Sequence, residues 1–100
     1  MAMVPYVSEE EATGIVKEVY DEIRASRGLA EVPNFWRAIA HRPEYLRSEW
    51  DKLQAILGTG TLDRKVKEMI AVAVSATNNC DYCIRSHTDA LRGLGGTDAE

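Results

Sequence analysis

The segment from residue 68 to residue 87 places a carboxylate, both cysteines of the chain and a histidine at Glu68, Cys80, Cys83 and His87. In a helix, the steps from Cys80 to Cys83 and from Cys83 to His87 put these three side chains on one stripe. A straight helix that also included Glu68 would turn its carboxylate about 120° away from Cys80. Two antiparallel helices joined by a tight turn would instead bring Glu68 beside the thiols. The segment therefore predicts a helical hairpin.

The rest of the chain also has apolar residues at helical spacing, and none of it has the alternation typical of strands. Ser8 and Glu11 form a capping-box pattern, which predicts the start of the first helix. Apolar residues are nearly continuous from 69 to 74, which favours a fourth helix buried on most sides. The predicted fold is all-α with about five helices. The first three are expected near 9–26, from Pro33 to before Pro43, and from Pro43 to the Gly58-Thr59-Gly60 break. The fourth is expected from the N-cap Asp63 to Asn78, and the fifth from Cys80, capped by Asn78 or Asn79, to the glycines at 93–96.

The length of 100 residues, with 45% hydrophobic and 28% charged residues, predicts a single globular domain over residues 1–100. The last four residues, Thr97-Asp98-Ala99-Glu100, repeat the capping-box pattern. Because a capping box normally precedes a helix, either the chain is the front part of a longer protein or the match is accidental.

The charge pattern argues against two classes of partner. The net charge is −4 and the sequence pI is about 5.2, without a cluster of basic residues. Nucleic acids and acidic membranes bind basic surfaces, so neither is an expected partner. Residues 1–5 lack the features of a signal peptide, and no apolar run is long enough to cross a membrane. These features predict a cytoplasmic protein.

In the cytoplasm, a CxxC pair is more often catalytic or metal-binding than a structural disulfide. Thiols one helical turn apart can form a disulfide, and His87 is placed to take a proton from Cys83. Glu68 could orient that imidazole and complete a Cys–His–Glu relay. At the start of a helix, Cys80 faces backbone N–H groups that favour its thiolate, whereas the neighbouring Asp81 carboxylate opposes it. Inert packing of two small core cysteines is the alternative reading.

The pattern E-x11-C-x2-C-x3-H, formed by Glu68, Cys80, Cys83 and His87, resembles the signature of the alkyl hydroperoxidase D-like core of the carboxymuconolactone decarboxylase superfamily. The flanking segments 62–68, 71–75 and 79–83 look like the helix pair of that fold. Two further segments, 32–35 and 40–44, resemble its peroxidase-related branch. The resemblance covers most of the chain.

The resemblance implies an all-α fold assembled as a trimer or hexamer, and a thiol peroxidase without haem, metal or other cofactor. Cys83 would attack a hydroperoxide and become a sulfenic acid, and Cys80 would resolve it to a disulfide. His87 and Glu68 would be the proton relay for Cys83. A dithiol reductant, such as a lipoyl-bearing protein, would regenerate the thiols. Some members carry a histidine where this chain has Tyr82, so a second proton donor is missing here.

Two other functions remain open from the residues. Cys80, Cys83 and His87, with Glu68 as a fourth ligand, could form a metal-binding module, although ligands on one helical stripe splay more than a tight zinc site allows. A lactone-forming or decarboxylating enzyme, as elsewhere in the superfamily, would not need the CxxC pair. Independently of these, the small size and the apolar fourth helix predict a homo-oligomer.

Overall fold

The computed structural model describes residues 4–58 and 60–100. The described residues do not include 1–3, which belong to the segment considered above as a signal peptide. They also do not include Thr59, which belongs to the predicted glycine break. The described part is all-α, without strands, and its elements are α1 (Gly14–Arg27), α2 (Asn34–Ile39), α3 (Pro43–Leu57), α4 (Arg64–Thr77) and α5 (Asp81–Gly93). The prediction of an all-α fold with about five helices is confirmed.

The chain divides into two compact units, one ending at Gln54 and the other spanning Ala55–Glu100. The prediction that residues 1–100 act as a single domain stays a prediction. Within the described residues, every helix is too short or too polar to cross a membrane.

The predicted start of the first helix near residue 9 is wrong, because α1 begins only at Gly14. One bond of the capping box forms, since the Glu11 N–H donates to Ser8 Oγ at 3.2 Å; the Ser8 hydroxyl also donates to the Glu11 carboxylate at 2.8 Å. It closes an isolated turn, however. Thr13 is extended and Gly14 has φ +56°, a left-handed value that glycine tolerates, so the chain changes direction before the helix starts.

The core of the first unit is built from one face of α1 together with α2 and α3. Trp36 and Trp50 pack edge to face, with ring centroids 5.3 Å apart. The Tyr20 hydroxyl donates to the Val7 carbonyl at 2.8 Å, and burial raises the pKa of Tyr20 to about 12. The buried residues of this core are Ala12, Val16, Val19, Tyr20, Ile23, Val32, Trp36, Ala40, Leu46 and Trp50.

Glu9 fastens the N-terminal segment to the first two helices. Its carboxylate pairs with Arg24 and with Arg37, the latter at 2.6 Å, and accepts the Val32 N–H at 3.1 Å. Burial raises the pKa of Glu9, but the Val32 N–H and the two guanidinium groups outweigh it, so the pKa is lowered. His41 Nε2 lies 2.6 Å from the Pro5 carbonyl and fastens the same segment, a structural position.

In the second unit, α4 and α5 form the predicted helical hairpin. Asp63 caps α4 as predicted, and its side chain accepts the Lys65 N–H at 3.3 Å. Lys67 Nζ donates to the carbonyls of Ile56 and Gly58 at 2.9 and 2.8 Å. These carbonyls lie at the end of α3, where a cation also suits the negative helix terminus. Lys67 therefore ties the end of α3 to the first turns of α4.

Two predictions about the hairpin helices are wrong. The N-cap of α5 is Cys80 itself, not Asn78 or Asn79, and the helix begins at Asp81. Burial of α4 on most sides is also contradicted, because Ile70 is 50% exposed and Val74 is 52% exposed. A run of apolar residues indicates that a helix can be buried, but it does not identify the surface that packs against it.

The C-terminal residues Thr97 and Glu100 close a turn that contains one of the two bonds of a capping box. The Thr97 N–H donates to Glu100 Oε1 at 3.0 Å, and the Glu100 N–H donates to the Thr97 carbonyl at 3.1 Å. The other carboxylate oxygen of Glu100 lies 3.0 Å from Lys65 Nζ, at the start of α4. The turn is thus anchored to the hairpin.

The core of the first unit predicts the effect of truncating Leu46, which is fully buried. Leu46→Ala should lower the free energy of unfolding by about 2–5 kcal/mol, because it removes buried methyl groups and leaves a cavity. The neighbouring Tyr45 is exposed, so Tyr45→Ala should change it by about 0.5 kcal/mol or less. Urea unfolding of both variants measures the difference. Equal effects would contradict the core described here.

Candidate active site

Cys80 and Cys83 are joined by a disulfide at the start of α5, with their Cα atoms 5.3 Å apart. Both residues are half-buried. Cys80 occupies the N-cap position, and its sulfur accepts a hydrogen bond from the Cys83 N–H at 3.3 Å. The i, i+3 spacing in the first turn of a helix thus brings the two thiols of the CxxC pattern together, as the sequence indicated.

The backbone of Cys80 is held from both sides. Its N–H donates to the Ser75 carbonyl at 3.1 Å, and its carbonyl accepts the Ile84 N–H at 2.9 Å. Just before it, Asn79 has φ +55°, a left-handed conformation that asparagine adopts more readily than most residues. This turn reverses the chain between α4 and α5. It also fixes Cys80 between the last turn of α4 and the first turn of α5.

Glu68 and His87 meet across the hairpin. Glu68 Oε2 lies 2.7 Å from His87 Nδ1, and Glu68 is fully buried. Glu68 lies in the first half of α4 and His87 in the middle of α5, so only the antiparallel arrangement brings them into contact. His87 follows Cys83 by one helical turn. The structure thus places the four predicted residues on one hairpin, in two contacting pairs.

The second oxygen of Glu68, Oε1, is buried and has no hydrogen-bond partner within the described residues. A buried carboxylate with an unsatisfied oxygen destabilises a fold, because its desolvation is not compensated. Packing alone would favour an apolar residue at this position. Glu68 is therefore a position where the fold keeps a buried carboxylate at a cost in stability.

The structure gives no support to the metal-binding alternative. Over residues 4–58 and 60–100, no group of three or more His, Cys, Asp or Glu side chains is arranged to hold a metal ion. Cys80 and Cys83 bond to each other, whereas metal ligation needs free thiolates. Asp81 is exposed in the first turn of α5, and Tyr82 is 40% exposed beside it.

The sequence reasoning missed the cap formed by Cys80 and a cavity on the hairpin. The signal for the cap was available, since Cys80 directly precedes a helical pattern and its sulfur can accept a hydrogen bond. The cavity has a volume of about 400 Å³. Met69 and Thr88, which are adjacent in sequence to Glu68 and His87, line the cavity, but the four predicted site residues do not. Its lining residues are Met69, Val72, Thr88, Leu91, Arg92, Gly96, Thr97, Asp98 and Glu100.

Comparison with known proteins agrees with this arrangement. The family model described as "Carboxymuconolactone decarboxylase family" matches residues 43–100. A crystal structure of an alkylhydroperoxidase AhpD core from Rhodospirillum rubrum is 42% identical, with a TM-score of 0.89. The match covers 99% of this chain and 75% of that one.

Curated relatives carry related names. An alkyl hydroperoxide reductase from Mycobacterium tuberculosis is 34% identical over 92% of this chain and 26% of its own length. The alkyl hydroperoxide reductase AhpD of Rhodococcus erythropolis is 29% identical over 89% of this chain and 51% of its own. The chain thus spans between about a quarter and about half of these relatives. With the match to the family model and the shared fold, the chain belongs to the carboxymuconolactone decarboxylase family and has the fold of its alkyl hydroperoxidase D-like core.

Proposed function

We propose that the protein is a thiol peroxidase that reduces hydroperoxides with Cys83 and Cys80, assisted by a proton relay of His87 and Glu68. The observation that carries the proposal is the 2.7 Å contact between the buried Glu68 carboxylate and His87 Nδ1, one turn beyond Cys83. The names of the relatives, which refer to alkyl hydroperoxides, support the same chemistry. The intact cysteine pair favours it over lactone formation or decarboxylation.

In the proposed cycle, His87 is the base for Cys83. Because Nδ1 is held by Glu68, Nε2 is the nitrogen that would take the thiol proton. The Cys83 thiolate attacks the terminal oxygen of the hydroperoxide, the O–O bond breaks, and the alcohol leaves with the proton from His87. Cys83 is then a sulfenic acid. The Cys80 thiol displaces its hydroxyl group as water, and this step forms the disulfide.

A dithiol would complete the proposed cycle by reducing the disulfide in two exchange steps. A lipoyl-bearing protein is a suitable reductant, because its two thiols close to a ring after the exchange. We place this chemistry in the cytoplasm, with a hydroperoxide and the reductant as the two reaction partners. No cofactor enters the proposed cycle, because the two thiols supply both electrons.

The relay predicts the behaviour of two variants. His87→Ala and Glu68→Gln should each slow peroxide reduction by about 10²- to 10⁴-fold, the usual contribution of a general base. The double variant should be little slower than the poorer single variant, since members of one relay act together. Stopped-flow single turnovers with the reduced proteins measure the rates.

The control for these variants is Asp89→Asn, because Asp89 is an exposed carboxylate on the same helix. It should react at the wild-type rate. Each variant should still form the Cys80–Cys83 disulfide with a strong oxidant, which shows that both thiols remain available. If Cys83 in His87→Ala reacts with peroxide and with iodoacetamide at wild-type rates across pH, the relay is refuted.

We also propose that the protein forms a homo-oligomer, a trimer or a hexamer. Val66, Ile70 and Val74 follow one another at i, i+4 spacing on α4, and all three are exposed. Exposed apolar stripes of this kind are typical of subunit contacts.

If the apolar stripe on α4 is a subunit contact, a charged substitution in it should lower the mass of the assembly. Ile70→Glu should shift the protein toward a monomer in sedimentation experiments, because the contact would bury an unpaired carboxylate. Lys52→Glu changes an exposed position on α3 and should leave the assembly intact. A wild-type protein that stays monomeric at micromolar concentration would contradict the proposal.

A further inference from the structure

We propose that the reductant attacks the sulfur of Cys83, and that Cys80 is the sulfur that leaves when the disulfide is opened. This assignment rests on the proposed thiol cycle. It adds which sulfur is attacked and which sulfur leaves when the disulfide is reduced. It is carried by the hydrogen bond at the start of α5, in which the Cys83 N–H donates to Cys80 Sγ at 3.3 Å.

Thiol–disulfide exchange places negative charge on the sulfur that leaves. The incoming thiolate forms a bond to one sulfur, and the electron pair of the S–S bond moves to the other. A leaving sulfur that already accepts an N–H donor is stabilised as this charge develops, since hydrogen bonds to charged acceptors are stronger than those to neutral ones. Cys80 Sγ holds such a donor in the disulfide form.

The position of Cys80 makes this stabilisation available without rearrangement. Its backbone is fixed through Ser75 and Ile84, so the sulfur stays at the N-cap when the disulfide opens. The N-terminus of α5 adds a favourable dipole for an anion at that point. Donors that are already in place stabilise developing charge most effectively.

Several charged or titratable side chains lie close in sequence to the disulfide, among them Asp81, Arg85 and His87. Asp81 follows Cys80 and opposes a thiolate there; because its side chain is exposed, solvent weakens this repulsion without removing it. His87 lies one turn after Cys83 and is held by Glu68. Both cysteines are half-buried, so burial does not by itself choose the attacked sulfur.

The complete exchange balances as two steps. One thiolate of the dithiol bonds to Cys83 Sγ, giving a mixed disulfide and the Cys80 thiolate, which takes up a proton. The second thiol of the reductant loses its proton and attacks the reductant sulfur of the mixed disulfide. Cys83 leaves as a thiolate and is protonated. The dithiol ends as a cyclic disulfide, and two electrons have passed to the protein.

The test is to trap the first step with a reductant that cannot complete the second. The protein is oxidised with diamide, mixed with a limiting amount of the monothiol glutathione, quenched in acid at several short times, and alkylated with N-ethylmaleimide. Mass spectrometry of the tryptic peptide 68–85 locates both groups. Glutathione on Cys83 and maleimide on Cys80 should exceed the reverse pattern by about tenfold or more, extrapolated to zero time.

A matched pair of variants tests the charge on the leaving sulfur. Asp81→Asn removes the carboxylate next to Cys80 and should increase the preference further. Asp89→Asn, an exposed change farther along α5, should leave it unchanged. Glutathione mainly on Cys80, or equal amounts on both cysteines, overturns the assignment. Because the assay uses no peroxide, its result is independent of whether the protein reduces hydroperoxides.

Discussion

The contact between Glu68 and His87 is the interaction on which the site depends. It joins two helices that run in opposite directions, and it places a fully buried carboxylate against an imidazole at 2.7 Å. Three local features hold the helices in this register. Asp63 fixes the start of α4, Asn79 reverses the chain, and the Cys80 backbone links the last turn of α4 to the first turn of α5. Each is a short-range interaction, and together they position a long-range contact.

The N-cap of α5 combines a structural and a chemical role in one residue. Serine, threonine, aspartate and asparagine are the usual N-caps because their oxygens accept strongly, whereas sulfur is a weak acceptor. Cys80 therefore stabilises the start of α5 less than these residues would, but it places a sulfur at the helix N-terminus. The buried, half-satisfied Glu68 is a similar case, since an apolar residue would stabilise the fold more. Both departures from optimal stability occur on the hairpin that carries the proposed chemistry.

Much of the hairpin could be predicted from sequence. The spacing of Glu68, Cys80, Cys83 and His87 is compatible with a common site only on two antiparallel helices, and the structure has that arrangement. Proline and glycine positions also gave good limits for α2 and α3, because these residues act on the local backbone. The disulfide partners followed from the same spacing.

The errors also have physical causes. The capping-box pattern at Ser8 predicts a helix start, but its hydrogen bonds are local and can close a single turn. Asn79 has the left-handed conformation that reverses the chain, whereas an N-cap is typically extended, and Cys80 has that extended conformation. The exposure of Ile70 and Val74 depends on what packs against α4, which periodicity does not encode.

The most direct test of the account is a single peroxide turnover with Cys80→Ser, in which serine can still cap α5. The reduced variant is mixed with one equivalent of hydroperoxide in the presence of dimedone, and the peptide from residue 68 to residue 85 is analysed by mass spectrometry. We expect a dimedone adduct on Cys83 in an amount that matches the peroxide consumed. No adduct on Cys83, together with a rapid adduct on Cys80 in Cys83→Ser, would show that the relay serves a different sulfur and would contradict the account.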